Sequence, residues 1–329
     1  MTKLRAASIG LGWWGGVLAE AAARSEHVEV VTCFARSQET REAFAEQQGC
    51  RSAGSLDEVL ADDEVDALIV ATPHGTHLEI VEAAAEAGKH VFLEKPITLT
   101  ASEGRACVTA ADAAGIVLLI GHHRRRSAAN RALKRIVDSG DLGTIHLVSA
   151  DMYVPKYQDP PPGSGWRMTR EESPAGAMTG LGVHMVDTMQ YLLGPIARVS
   201  AMSKRILARS ALDDMTSVVF EFASGPLGTL NTSLVLPRRC DLSVHGHEQN
   251  AWSLEDGTRL LRQTKAESAP QEEAIEPVDE LVEQLEELAA CVRDGSRPET
   301  DGAAAVDVVA VLEAIVASIE TDRPVDVRR

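Results

Sequence analysis

Three glycines open the chemistry of this sequence. They stand in Gly10-Leu11-Gly12-Trp13-Trp14-Gly15, directly after a short apolar strand pattern, Ala6–Ile9, and just before a helical one, Val17–Ala23. At this spacing the first glycine permits a tight turn, the second lets backbone approach a pyrophosphate, and the third lets helix and strand pack closely. The helix start then offers free N–H groups and a positive dipole end to phosphates. Gly10, Gly12, Trp13, Trp14 and Gly15 are therefore candidates for holding a dinucleotide. In NAD enzymes a carboxylate commonly ends the second strand and accepts hydrogen bonds from the ribose 2′-OH. Here that place reads Phe34-Ala35-Arg36-Ser37. Arg36 and Ser37 suit a 2′-phosphate, so NADP(H) is favoured. NAD(H) stays open if Arg36 is only a solvated loop residue.

A second group could move protons. Glu94-Lys95-Pro96 follows the strand pattern His90–Leu93, at the carboxyl edge where open α/β sheets bind ligands. A lysine there could hydrogen-bond a substrate oxygen and help shuttle its proton; taken alone, it could equally be a surface charge. In Gly182-Val183-His184-Met185-Val186-Asp187, a helical stretch puts His184 and Asp187 on one face. They are a general base and its neighbour, or a core histidine beside a surface aspartate. Gly121-His122-His123-Arg124-Arg125-Arg126 leaves the fifth strand toward the same edge. Guanidinium groups pair with carboxylates through two parallel bonds, which suggests a sugar acid or a carboxylated cyclic diol as substrate. The alternative is that Arg125 and Arg126 cap and solvate a helix start. Tyr153, Trp166 and Arg167 flank the run Asp159-Pro160-Pro161-Pro162-Gly163-Ser164-Gly165, read as a rigid loop beside a site, and are further pocket candidates. His245-Gly246-His247 leaves a ligand set incomplete, so no metal is expected.

The elements that must position these residues divide the chain. Strand and helix patterns alternate up to Ile120, which implies parallel strands with right-handed crossovers. After Gly121 come one helix pattern (Asn130–Asp138), strand-like segments (Ile145–Tyr153, Ile196–Ser203, Thr216–Phe222, Gly228–Leu236, Leu242–His245) and two closing helices. The expected fold is α/β: a Rossmann dinucleotide-binding domain over residues 1–121, then an α+β domain over 122–329 built on a large, mainly antiparallel open sheet. A net charge of −17 disfavours nucleic acid as a partner and argues against an anionic membrane surface. No apolar run is read as approaching the ~18–20 residues that span a bilayer. Five cysteines without a CxxC pair make a disulfide framework unexpected and fit a reducing cytoplasm.

The motifs taken together carry a resemblance. The glycine turn, Ala71-Thr72-Pro73-His74-Gly75-Thr76-His77, Gly88-Lys89-His90-Val91-Phe92-Leu93-Glu94-Lys95-Pro96 and the His184 segment follow one another as in the glucose–fructose oxidoreductase, inositol dehydrogenase and rhizopine-catabolism (Gfo/Idh/MocA) family, over essentially the whole chain. The resemblance implies that Lys95 and His184 are catalytic and face nicotinamide and substrate. It implies that Glu94 positions the nicotinamide ribose, that Thr72, Pro73, His74 and His77 line the cofactor cleft, and that Arg124 and Asp187 reach substrate. It further implies a CH–OH dehydrogenase or reductase for a small molecule, assembled as a homodimer or homotetramer through the second-domain sheet. Two departures stand out: His74 replaces the family's usual Asn, and Gly180 replaces an Asp four residues before His184. The missing carboxylate removes one substrate-hydroxyl acceptor and speaks for a non-catalytic cofactor-binding sensor as an alternative; a redox-neutral NAD-dependent glycosidase, a minority activity of that family, is another.

Overall fold

The computed structural model describes residues 3–155, 165–207 and 211–329. The proline-rich run expected to form a loop lies outside them, except for Gly165. In chain order the elements are β1 (Leu4–Ile9), α1 (Trp13–Arg24), β2 (Val28–Phe34), α2 (Gln38–Gln48), β3 (Arg51–Ser52), α3 (Leu56–Leu60), β4 (Ala67–Val70), α4 (His77–Glu86), β5 (His90–Leu93), α5 (Ala101–Ala114), β6 (Leu118–Ile120), α6 (Ala128–Ser139) and β7 (Ile145–Tyr153). They continue with α7 (Val183–Leu193), β8 (Ile196–Lys204), β9 (Met215–Phe222), β10 (Leu227–Ser233), β11 (Arg239–Gly246), β12 (Gln249–Leu254), β13 (Arg259–Thr264), β14 (Gln271–Glu273), α8 (Glu280–Asp294), α9 (Gly302–Thr321) and β15 (Val325–Asp326). These form two compact units, residues 1–122 with 279–306, and residues 123–278 with 307–329.

The first unit is a six-stranded sheet in the order β3-β2-β1-β4-β5-β6, with every pair parallel. This is the doubly wound order in which chain direction across the sheet reverses between β1 and β4, so ligands bind beyond the carboxyl ends of those strands. All four residues of β4 are buried, as expected of a strand covered on both faces. Residues 279–306 belong here, whereas the sequence reading assigns them to the second domain. The reason is the apolar stripe of α8: Leu285, Leu288 and Ala289 join one core cluster with Leu18, Ala21 and Ala22 of α1. The segment after α8 returns to the sheet edge, where Thr300 Oγ1 donates to the Ile120 carbonyl at 2.7 Å and Ile120 N donates to the Thr300 carbonyl at 2.9 Å.

The second unit is a nine-stranded sheet, β14-β13-β12-β11-β7-β10-β9-β8-β15, antiparallel except for the pair β7–β10. Period-two alternation assigns its faces. Val148, Ala150 and Met152 of β7 turn inward to a core shared with Leu133 of α6, Val186 of α7 and Val311 of α9, while Asp151 and Tyr153 turn the other way. Among the described residues, five strands lie outside the segments expected from the sequence, β3, β12, β13, β14 and β15; of these, β12 and β13 pair around Glu255-Asp256-Gly257. The expectation that no apolar run approaches membrane-spanning length is overturned by one helix. Helix α9, 20 residues with a mean hydropathy of 2.0, is long and apolar enough to cross a bilayer, but 61% of that window is buried in the protein. Its Val308, Val311, Leu312, Ala314 and Ile315 belong to the core of the second unit.

Candidate functional site

The glycine turn lies between β1 and α1, at the reversal of the sheet. Its three glycines differ in what a side chain would meet there. Gly10 has φ +90°, and a Cβ there would lie 2.6 Å from the Ala71 carbonyl oxygen of the neighbouring strand end. A Cβ on Gly15 would lie 2.2 Å from the Gly10 carbonyl oxygen, so its absence lets α1 pack onto the turn. Gly12 differs: its φ is −75°, open to any residue, and a Cβ there would meet no atom within 4 Å. Neither backbone strain nor packing demands glycine at 12. What remains is a clear approach to the α1 start, which carries no side-chain cap and no acidic residue in its first turn. A diphosphate fits that approach, accepting from the helix N–H groups. Trp13 is 70% exposed at the same end and tilts against Trp14, ring centroids 5.4 Å apart.

Arg36 and Ser37 lie exposed beyond β2. Ser37 also accepts from Thr40 N at 3.3 Å as the cap of α2, so its hydroxyl already has structural work. At the end of β4, the Thr76 hydroxyl lies 2.8 Å from that of Thr72 and 2.7 Å from the Pro73 carbonyl, closing the turn. His74 is buried beside it. His77 does not line a cleft as expected. It is fully buried, with Nδ1 3.1 Å from the carbonyls of Pro96 and Ile97 and Nε2 3.3 Å from the carbonyl of Thr72. It opens α4 directly beneath the strand ends, and burial lowers its pKa.

Glu94 and Lys95 directly follow β5. The buried Glu94 carboxylate accepts from Lys95 N at 3.2 Å, and Lys95 itself is half-buried. A partner the sequence reading missed is Gly121, at the end of β6. A Cβ there would stand 2.7 Å from Glu94 Oε1, so this glycine makes room for the carboxylate. The available signal was a glycine abutting a fully buried strand, which marks close approach of another group.

In the second unit, residues 123–126 form a 3₁₀ turn ahead of α6, and all four are buried. The reading in which Arg125 and Arg126 solvate a helix start therefore does not hold. Arg125 forks onto Asp187 of α7, Nε to Oδ2 at 2.7 Å and Nη2 to Oδ1 at 2.6 Å. Asp187, expected at substrate, has both oxygens engaged and a side chain only 1% exposed. Arg124 pairs with Asp256 at 2.9 Å. Burial acts to raise the Asp256 carboxyl, but Arg124 and Arg238 outweigh it and hold it below the usual range. The proposed carboxylate grip thus meets two arginines already matched within the chain, a pairing across 62 and 132 residues that local spacing does not reveal.

His184 stands in the first turn of α7, buried, with its ring edge-to-face against His123 at 5.0 Å. A π-helical turn, Met178–Gly182, leads into α7; such turns interrupt regular helices, frequently at functional sites. Within it Gly180 is exposed, and a Cβ there would meet nothing within 4 Å. Tyr153 points to the sheet face opposite α7, and its hydroxyl donates to Asp151 at 2.6 Å. Burial and that carboxylate push its phenol above the ordinary range, which suits it poorly to acid–base work. Trp166 and Arg167 stack on each other, guanidinium 4.0 Å from the ring centroid. His245 and His247 are separately engaged, the first with Asn250 and Ser243, the second with Glu248.

A doubly wound sheet with a phosphate-admitting glycine turn at its reversal defines a dinucleotide-binding domain. The comparisons with known proteins agree. Residues 4–122 match the model of the oxidoreductase family with an NAD-binding Rossmann fold, and residues 130–251 match the GFO/IDH/MocA C-terminal domain. The chain belongs to the Gfo/Idh/MocA family of NAD(P)-dependent oxidoreductases. It is 28% identical over 316 residues to 1,5-anhydro-D-fructose reductase of Ensifer adhaerens, covering 93% of each chain. It is 28% identical over 324 residues to the rhizopine catabolism protein MocA of Rhizobium meliloti, covering 97% of this chain and 95% of that one. A solved structure from Desulfitobacterium hafniense, described as an NADPH-dependent oxidoreductase, superposes with a TM-score of 0.94 at 29% identity, covering 99% and 98%.

Proposed function

We propose that the protein transfers a hydride between a nicotinamide and a hydroxyl-bearing carbon of a sugar, polyol or cyclic diol. The carrying observation is the unobstructed side of Gly12 at an uncapped helix start. A bound nicotinamide dinucleotide supplies the hydride donor or acceptor. The glycine turn binds its diphosphate, and Arg36 holds a 2′-phosphate, which favours NADP(H) over NAD(H). Lys95 donates a hydrogen bond to the substrate oxygen. His184 takes the hydroxyl proton in oxidation and returns it in reduction, so each turnover moves one hydride and one proton. Glu94, seated against Gly121, positions the ribose. Arg124 and Arg125 are matched by Asp256 and Asp187, which favours an uncharged substrate over a carboxylate. The relatives named for a sugar reductase and for rhizopine catabolism support that substrate class. A cytoplasmic homodimer or homotetramer is proposed, joined through the outward face of the nine-stranded sheet, where Met202, Val219 and Leu227 are exposed. The test is a panel of sugars, sugar acids and cyclic diols assayed with both cofactors. Lys95→Ala should cost about two orders of magnitude or more in kcat; undiminished turnover would remove Lys95 from the reaction.

A further inference from the structure

His77 is surrounded by main-chain carbonyls on two turns, and those turns follow neighbouring strands. β4 and β5 run parallel in the register Val70↔Leu93, and Thr72 and Pro96 lie just beyond their ends. Pro96 directly follows Lys95. Burial keeps the imidazole neutral, and a neutral ring has one N–H to give. Two carbonyls at 3.1 Å face Nδ1, and one at 3.3 Å faces Nε2. The two shorter distances are those at Nδ1.

We propose that His77 is a positioning residue for hydride transfer: its Nδ1–H, shared between the carbonyls of Pro96 and Ile97, fixes the turn that carries Lys95 at the end of β5. The proposal rests on the role of Lys95 given above. It separates from a plain packing role because packing requires only volume, which leucine supplies, whereas positioning requires a donor at the Nδ1 place. Asparagine puts its amide nitrogen there, and glutamine puts its own nearer Nε2.

The experiment compares His77→Asn, His77→Gln and His77→Leu, each alone and with Lys95→Ala. NAD(P)H affinity is read by fluorescence titration, and kcat at saturating cofactor and substrate. Cofactor affinity should stay within about threefold of wild type in the His77 variants that keep Lys95, because the glycine turn is untouched. kcat should fall by about tenfold or more in the Leu and Gln variants and recover to within about threefold of wild type in the Asn variant. In the Lys95→Ala background the Leu substitution should add less than about twofold, since its effect runs through a group already removed. A Gln variant as active as the Asn variant, or losses that multiply in full with Lys95→Ala, overturns the proposal. Should the Leu variant not fold, the Asn–Gln order still decides. In the wild type, ¹⁵N NMR of the His77 ring should find Nδ1 protonated and Nε2 bare, and the reverse tautomer also overturns it. If Lys95→Ala alone leaves kcat unchanged, the failure lies in the role of Lys95, not in the tautomer.

Discussion

Arg125 and Asp187 meet as a two-bond fork, with 8% and 1% of their side chains exposed, and this joins the turn bearing His123 to the helix bearing His184. Removing one partner of such a pair leaves an uncompensated buried charge, which costs about 3–5 kcal/mol. Asp187→Ala should therefore lower the thermal midpoint sharply. Replacing both residues by apolar ones of similar volume should restore much of the loss. The comparison of single and double variants by calorimetry checks this, and equal destabilisation by both would show that the fork's own bonds, not the cost of a lone buried charge, set the loss.

Gly12 and Gly15 should behave oppositely on substitution by alanine. At Gly15 the new methyl would sit 2.2 Å from a backbone oxygen, so turn and helix must move apart. At Gly12 it would project into open space on a backbone that alanine adopts readily. Gly15→Ala should destabilise the fold by about 1–3 kcal/mol or more. Gly12→Ala should melt like wild type yet bind NAD(P)H about tenfold or more weakly, since the methyl stands where diphosphate oxygens approach the backbone. Thermal melts and fluorescence titration separate the two. Undisturbed binding in Gly12→Ala would dissociate the turn from the cofactor.

How much of this was legible beforehand depends on the range of the interaction. The alternation of strand and helix up to Ile120, and the place of Gly10, Gly12 and Gly15 within it, follow from local periodicity and so emerge from sequence. The sidedness of Tyr153 was available too, because Ala150 and Met152 are apolar at alternate positions and Tyr153 must face away. The partners of Arg124 and Arg125 were not, since Asp256 and Asp187 lie far along the chain. Nor was the return of residues 279–306 to the first unit: the stripe on α8 signals an apolar partner but does not say which one.

We predict that cofactor choice depends on Arg36, the exposed residue just beyond β2, where NAD enzymes commonly carry a carboxylate. If its guanidinium meets a 2′-phosphate, Arg36→Ala should raise the KM for NADPH by about tenfold and leave that for NADH within about twofold. Steady-state kinetics with both cofactors measure the two shifts. Equal shifts, or none, would make Arg36 a bystander.

Stability should depend on pH through one buried and one half-buried imidazole, His77 and His90. Burial lowers the pKa of His90 from 6.5, with Asp66 pulling weakly the other way, and His77 is lowered by burial as well. His90 is held neutral by an explicit contact, since Val117 N donates to its Nδ1 at 3.0 Å and a protonated nitrogen cannot accept. Both folded-state values therefore lie below those of the unfolded chain. Above pH 6.5 both states are neutral and the stability is fully present; as pH falls through 6.5 toward the folded values, the unfolded chain takes protons first and stability is lost. The thermal midpoint should be flat near neutrality and decline from there down to about pH 5, above the range in which most carboxylates titrate. His90→Asn keeps an acceptor for Val117 N but cannot be protonated, so its decline over that window should be shallower than that of the wild type. Parallel slopes for the two proteins would assign the acid sensitivity to other groups.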